Sequence, residues 1–335
     1  MSFRNKANVL VAGGAGYIGS HVVLELVKQG YGVVVLDNLS TGHRELTPGG
    51  AFIHGDIGDA NLLDAVFMER KIDAVMHFAA KSLVGESVAE PLAYYRNNLA
   101  CTVSLLEVMV DHRVRHFIFS SSAAVYGEPL STPIPEDHPR RPVNPYGATK
   151  HAVELVLADS QLAYGLTFAC LRYFNAAGAD ESGTIGERHN PESHLIPLVM
   201  KVATGERGCI QVFGTDYPTA DGTCIRDYVH VSDLAKAHTI CLERLLNGGK
   251  SMIYNLGSSR GYSVREVIET ARRVTGHPIP VVGADRRPGD PAILVADSAL
   301  IRKELAWKAA YGDLETIIET AWKWHRSDKR SLRAA

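Results

Sequence analysis

Short apolar runs bounded by turn residues recur through the first half of the chain, at Asn8–Ala12, Val33–Asp37, Ala51–Gly55, Ile72–Ala79, His116–Ser121 and Leu166–Tyr173. Most are near-continuously apolar rather than alternating, as expected of strands covered on both faces. Stretches of helical period lie between them. Ser20–Gln29 carries Val22, Val23, Leu26 and Val27 along one side, a spacing of three and four residues. The alternation predicts an α/β fold with a doubly wound parallel sheet and helices on both faces. After Asn175 the texture changes. Residues 176–194 are rich in Gly, Asp, Glu and Pro and read as a long surface loop, and the rest is more irregular. The expected division is one domain over 1–175 and a smaller, irregular α/β domain over 176–335, with a return to the large sheet near 226–255, at Asp227–Val231.

Chemistry in such folds gathers at the carboxyl ends of the strands, and reactive residues fall there. After the first run comes Gly13-Gly14-Ala15-Gly16-Tyr17-Ile18-Gly19. Gly13, Gly16 and Gly19 allow a tight turn and a close backbone approach to pyrophosphate at a helix N-terminus. Glycine-rich turns are common, but strand before, helix after and an acid at the end of the next strand make a dinucleotide site of the Rossmann type the better reading. That acid is Asp37, placed to accept from both ribose hydroxyls and to repel a 2′-phosphate. Asn38 and Leu39 follow with no adjacent cation, so the expected cofactor is NAD rather than NADP.

Further along, Ser122 ends the His116 run, and Tyr146 and Lys150 stand four residues apart, on one face if helical. A phenol titrates near pH ~10, and each unit of depression needs about 1.4 kcal/mol of preference for the phenolate. A neighbouring ammonium is expected to supply it, arming Tyr146 to take a proton from a sugar hydroxyl. Lys150 is also expected to reach the nicotinamide ribose. An ordinary amphipathic turn explains a lone Tyr-x-x-x-Lys far better; the strand-end serine and the glycine turn in the same chain favour hydride transfer.

Composition narrows the class without adding chemistry. The 335 residues are 46% hydrophobic and 21% charged with a net charge of −2, globular values that give no general attraction to nucleic acid or membrane. No apolar leader is expected before the first strand, and no apolar run in the sequence reaches the length of a membrane span. Five cysteines, Cys101, Cys170, Cys209, Cys224 and Cys241, are scattered without a Cys-x-x-Cys and read as reduced thiols of a cytoplasmic protein. His112 and His116 have helical spacing but no accompanying carboxylate pattern, so no metal site is expected.

The motifs together resemble the extended short-chain dehydrogenase/reductase family, and within it the UDP-glucose 4-epimerases. The likeness runs through Gly13–His21, Leu36–Leu39, His77–Ala80, Val84–Ser87, Tyr94–Asn98, Phe119–Gly127, Leu171–Asn175, Phe213–Pro218, Arg226–Val231, Tyr254–Gly257 and Arg286–Asp290. It implies an isomerase that inverts C4 of a UDP-sugar through a 4-keto intermediate, with Tyr146 as base and NAD held throughout. It implies that Gly13, Gly16, Tyr17, Ile18, Gly19, Asp37, Asn38, Asp56, Ile57, Phe78, Ala79, Ala80, Asn97, Ser122, Tyr146, Lys150 and Phe174 hold NAD. Ser122, Tyr146, Asn175, Leu195, Phe213, Arg226, Arg287, Asp290 and Leu294 would bind the UDP-sugar, the two arginines forking onto the diphosphate.

Two departures stand out. Where many relatives carry lysine this chain has Ser82, with Lys81 one residue earlier, and Leu294 stands where a bulky tyrosine often limits the sugar pocket. Leu294 leaves UDP-xylose, UDP-arabinose and UDP-N-acetylglucosamine open as alternatives to UDP-glucose and UDP-galactose. Ala123 and Ala124 replace the acid–base pair of dehydratases and the glutamate of decarboxylases, which ranks both lower. A catalytically dead NAD-binding regulator would have lost Ser122, Tyr146 or Lys150. By analogy with relatives, the helices predicted at Asn98–His112 and His151–Tyr164 pair with their symmetry mates in a homodimer. Their stripes are Leu99, Val103, Leu106, Val110 and Val153, Val156, Leu157, Leu162.

Overall fold

Apolar runs at the predicted places form the strands of one large sheet. A computed structural model describes residues 6–287 and 289–334, with 329–334 as backbone only. The strands are β1 (Lys6–Ala12), β2 (Tyr31–Asp37), β3 (Ala51–His54), β4 (Ala74–His77), β5 (His116–Ser122) and β6 (Thr167–Tyr173). Val9 to Ala12 of β1 are fully buried, which accounts for a run with no polar alternation. The spatial order is β3-β2-β1-β4-β5-β6, and Met252–Leu256 adds a seventh strand beside β6. The pairings of β1 with β2 and β4, and of β5 with β4 and β6, are parallel. The order reverses between β1 and β4, and a ligand crevice opens at such a switch point.

The chain divides into two compact units. The first holds residues up to Gly127, His138–Tyr173 and Ala235–Tyr254; the second holds Glu128–Asp137, Phe174–Leu234 and the residues from Asn255 onward. The core of the first is built by Leu10, Leu36, Val75, Phe117, Leu157 and Phe168 among others, each worth about 1.5–3 kcal/mol of burial. In the second, Ile225–His230 is the middle of a small sheet, flanked by Asn175–Ala177, Gly261–Ser263 and Ile293–Leu294. A separate core there gathers Ile196, Met200, Val267, Ile268, Ile317 and Ile318.

Two expectations need correction. The Asp227–Val231 stretch does not join the large sheet; it belongs to the small one, and Met252–Leu256 takes the outer place instead. Residues 176–194 are a loop beyond Ala177, with exposed stretches, but not wholly a surface one. Ala179, Ile185 and Glu187 are buried, because the segment packs against Trp324 of the last helix, Leu314–Ala334.

The helix that matters most, Pro145–Tyr164, carries its own start and stop. Asn144 caps it by accepting from the Gly147 amide at 2.9 Å, Pro145 opens it, and Gly165 closes it at φ +69°. Proline at the first position and a left-handed glycine after the last are the standard punctuation of a helix. Its Val153 and Leu157 face the core, whereas Leu155 and Leu162 are exposed.

Candidate active site

The three glycines of the first turn, all in the first unit, do different work. At Gly13 φ is +79°, and an added Cβ would lie 2.4 Å from the Ala79 amide nitrogen. At Gly19 it would lie 2.1 Å from the Gly13 carbonyl oxygen. These two let the turn close on itself and on the end of β4. At Gly16 the nearest atom would be the Gly13 carbonyl, at an ordinary 3.4 Å. The fold itself does not demand glycine there, so the missing side chain serves a group that approaches from outside. The helix α1 (Tyr17–Lys28) starts at this point with no acidic residue in its first turn and no side-chain cap, which leaves its positive end for an anion. Tyr17 is buried and Ile18 half-buried just past the turn. We expect Gly16→Ala to fold normally yet bind NAD about tenfold more weakly, as measured by cofactor retained through gel filtration and by thermal melting of the stripped protein.

The rest of the dinucleotide set lines the ends of β2, β3 and β4. Asp37 is nearly buried and accepts from the amides of Ala15 at 2.9 Å and Leu39 at 2.8 Å, one on each oxygen. Each oxygen keeps a second lone pair, the acceptors two ribose hydroxyls require. Asn38 donates to Asp56 at 2.6 Å, Asp56 accepts from the Gly58 amide at 2.7 Å, and Ile57 is buried between. Phe78 and Ala79 both donate their amides to the Ala12 carbonyl, at 2.7 and 3.1 Å, at the switch point. Asn97 donates to Asn98, which holds the Lys81 carbonyl at 2.9 Å and so steadies the chain after Ala80. This set of acceptors, open glycine and uncapped helix start fits NAD. The Lys81 ammonium is engaged by Glu86 at 3.1 Å, while Ser82 is exposed.

Ser122, Tyr146 and Lys150 do come together. Ser122 ends β5, its hydroxyl accepts from the Ala124 amide at 3.2 Å, and it is near enough to the Tyr146 phenol to favour the phenolate. Lys150, one turn beyond Tyr146, is almost fully buried and donates to the Ser120 carbonyl at 2.7 Å. Its Nζ lies over the rings of Phe119, at 4.8 Å, and Tyr146, at 5.9 Å.

The electrostatics differ from expectation. The Tyr146 phenol is raised, not lowered: burial dominates, and Ser122 opposes it only in part. Lys150 is pulled down to about 7 by burial, against the pull of Glu154. The reason is placement. The ammonium sits against ring faces and a carbonyl, and desolvation of the phenol outweighs what the cation offers the phenolate.

Behind the helix lies a buried ion pair that sequence reasoning missed. Arg172 of β6, fully buried, makes a two-pronged pair with Glu154 at 2.8 and 2.6 Å and donates to the Tyr126 hydroxyl at 2.8 Å. Ser121 donates to Glu154 at 2.6 Å. The signal was an arginine inside the apolar run Cys170-Leu171-Arg172-Tyr173, because a buried charge needs a partner. His112 and His116 share no helix: His112 contacts Asp64 at 2.6 Å, and His116 opens β5 and bonds Thr167 at 2.8 Å.

The second unit collects the residues that the resemblance assigns to the nucleotide. Arg226 and Asp290 are paired, and Arg287 lies over the Phe213 ring at 4.0 Å. Leu294 pairs in register with Arg226, and Leu195 opens the helix Leu195–Ala203. Asn175 donates to the Asp227 carbonyl at 2.9 Å, and Phe174 precedes it, half-buried. Pro288, within the Arg286–Asp290 stretch, lies outside the described residues. Asp227 was also missed as an organiser. Fully buried, it accepts from the amides of Ser258, Ser259 and Ala296 and from the Ser258 hydroxyl, at 2.7–3.1 Å, and burial still pushes it up to about 6.

A model of the NAD dependent epimerase/dehydratase family matches residues 9–257. The chain belongs to this family. Its members' glycine turn, strand-end serine and Tyr-x-x-x-Lys all lie within the matched span. Among similar epimerases is the UDP-glucose 4-epimerase of Halalkalibacterium halodurans, 55% identical over 318 residues that span 95% of each chain. The crystal structure of UDP-glucose 4-epimerase from Brucella ovis in complex with NAD is 50% identical, with a TM-score of 0.93 over 95% of this chain and 98% of that one. The Bifidobacterium longum enzyme in complex with NAD+ and UDP is 43% identical, with a TM-score of 0.92 over 96% and 99%. Among the described residues no helix is long and apolar enough to cross a membrane.

Proposed function

We propose that the protein interconverts UDP-glucose and UDP-galactose by inverting C4 through a 4-keto sugar, with NAD as a permanently held cofactor. The observation that carries this reading is Ser122 at the end of β5, with Tyr146 and Lys150 one turn apart on the helix Pro145–Tyr164, in the same unit as the glycine turn. Bound NAD supplies a hydride acceptor that becomes the donor for the return step, and in its oxidised form brings a positive charge. Gly13, Gly16, Gly19, Asp37, Asp56 and the other residues named for it hold it. Tyr146 takes the proton of the 4-hydroxyl as C4 is oxidised and returns it when the ketone is reduced from the other face. Ser122 donates to the same oxygen and keeps it aligned. Lys150 orients the cofactor's ribose. Ala123 and Ala124, which follow Ser122, carry no proton-transfer group, so neither elimination of water nor decarboxylation has a base there.

In the second unit, Arg226 and Arg287 neutralise the diphosphate, and Asp290 accepts from the uridine ribose. Phe213 and Leu195 flank the nucleotide, while Asn175 and Leu294 border the hexose. The first unit is thus the NAD-binding domain and the second the UDP-sugar domain. Half-buried Leu99, Val103, Val110 and Val156 with exposed Leu155 and Leu162 support a homodimer through these helices. Light scattering at micromolar concentration is expected to give twice the chain mass, and a monomer would refute it. The reduced, scattered cysteines favour the cytoplasm.

Incubation with a panel of UDP-hexoses, UDP-pentoses and UDP-N-acetylhexosamines, followed by product separation, tests the reading. We expect UDP-glucose and UDP-galactose to interconvert fastest; a protein that leaves every UDP-sugar unchanged overturns it. Ser122→Ala is expected to lower kcat about 10²-fold by removing one donor to the developing alkoxide. Wild-type kcat in that variant would show the hydroxyl to be dispensable.

A further inference from the structure

The segment between Asn175–Ala177 and Leu195–Ala203 lies wholly in the second unit and is anchored near its end. Trp324 donates its indole N–H to the Glu187 carbonyl at 3.0 Å, and a Cβ on Gly186 would come within 2.3 Å of that ring. Arg188 is paired with Asp328. Beyond this anchor the chain folds back and gathers Glu187, His189, Glu192 and His194, each offering one ligand atom, all within 4.8 Å of one another.

We propose that these four side chains form a binding site for one divalent transition-metal ion, Zn²⁺ before others, that clips the segment ahead of Leu195. Two imidazole nitrogens and two carboxylate oxygens are a zinc-type donor set, whereas Mg²⁺ and Ca²⁺ favour oxygen alone. Zinc holds such donors at about 2.0–2.2 Å in a tetrahedron, whose edges are then roughly 3.3–3.6 Å. The His194 Nδ1 lies 2.8 Å from a Glu187 oxygen and 3.1 Å from a Glu192 oxygen. The His189 Nδ1 lies 2.9 Å from Glu187 and 3.9 Å from Glu192. Three of these separations fall short of the tetrahedral edge and one exceeds it, and with the donor atoms within 4.8 Å of one another, side-chain rotation draws the set in around an ion.

The surroundings agree with the geometry. The side chains of Glu187 and Glu192 are 4% and 2% exposed, so two carboxylates stand nearly buried and close together, an arrangement that requires compensating charge. The imidazoles are 26% and 49% exposed, which leaves the ion a path from solvent. On binding, each Nδ1 gives its lone pair to the metal, and any proton it carried goes to water. The Glu192 carboxylate also accepts from the Ser193 and His194 amides, at 2.8 Å each, which fixes its orientation.

The test uses the full-length protein with its NAD, stripped by a chelator and titrated with Zn²⁺ and, separately, with Co²⁺. We expect one ion per chain, visible absorption bands of tetrahedral Co²⁺, and a higher melting temperature with Zn²⁺. His189→Ala and His194→Ala, each checked for native circular dichroism, should weaken binding at least about tenfold and abolish the bands. Glu192→Gln, which keeps the side-chain shape, serves if an alanine variant fails to fold. Absence of stoichiometric binding in the wild-type protein overturns the proposal. Unchanged affinity and bands in the folded variants overturn it equally, by placing the ion elsewhere.

Discussion

Tyr146→Phe is expected to lower kcat about 10²–10⁴-fold while NAD and UDP remain bound. The substitution deletes one oxygen and leaves a ring of the same shape beneath Lys150, so binding and packing change little. What disappears is the phenol oxygen that we propose as the proton acceptor. The electrostatics point the same way. Burial raises the phenol and drops Lys150 to about 7. Positive charge brought by bound NAD would favour the phenolate. Undiminished kcat in the Tyr146→Phe variant removes the residue from the mechanism. Loss of bound NAD in that variant would instead reassign it to cofactor binding.

Arg172→Met is expected to cost about 3–5 kcal/mol of stability, because it leaves the Glu154 carboxylate buried without its cation. Glu154 accepts from Arg172 at 2.8 and 2.6 Å and from Ser121 at 2.6 Å, and a thioether replaces none of the bonds that Arg172 makes. The double variant Arg172→Met/Glu154→Gln should recover much of the loss, since the penalty belongs to the unpaired charge rather than to the missing bond. Denaturant melts of the two single variants and the double variant give the coupling directly, and additive losses would refute it. The pair also bears on Lys150, one turn before Glu154. The carboxylate raises the lysine, so in Glu154→Gln its pKa falls further. Lys150 is a cation that loses its proton as pH rises, so the alkaline limb of kcat/KM should move to lower pH in that variant. An unmoved limb would show that Glu154 supports the helix without tuning the lysine.

Much of the first unit was legible because its signals are local. The strands β1 to β6 are apolar runs whose identity survives without tertiary context, and Asn144-Pro145 with Gly165 marks the Tyr146 helix at both ends. The Gly13–Gly19 turn and Asp37 were readable for the same reason. What escaped depends on distant partners. Met252–Leu256 is a five-residue strand whose place beside β6 is set by topology. Asp227–Val231 has the composition of a strand, and nothing in it says which sheet it will enter. The polar 176–194 segment reads as exposed until Trp324, far along the chain, closes over Gly186. Spacing put Lys150 beside Tyr146 correctly, yet the direction of the phenol's shift turned on desolvation and on the Ser120 carbonyl that draws Nζ aside.

Epimerisation through a held cofactor requires C4 of the sugar to lose and regain its own hydrogen within one closed site. UDP-galactose carrying deuterium at C4, incubated with the purified protein in ordinary water, tests this directly. We expect UDP-glucose with the deuterium still on C4 and none released to solvent; label washed out into water, or product formed with hydrogen at C4, would refute the mechanism.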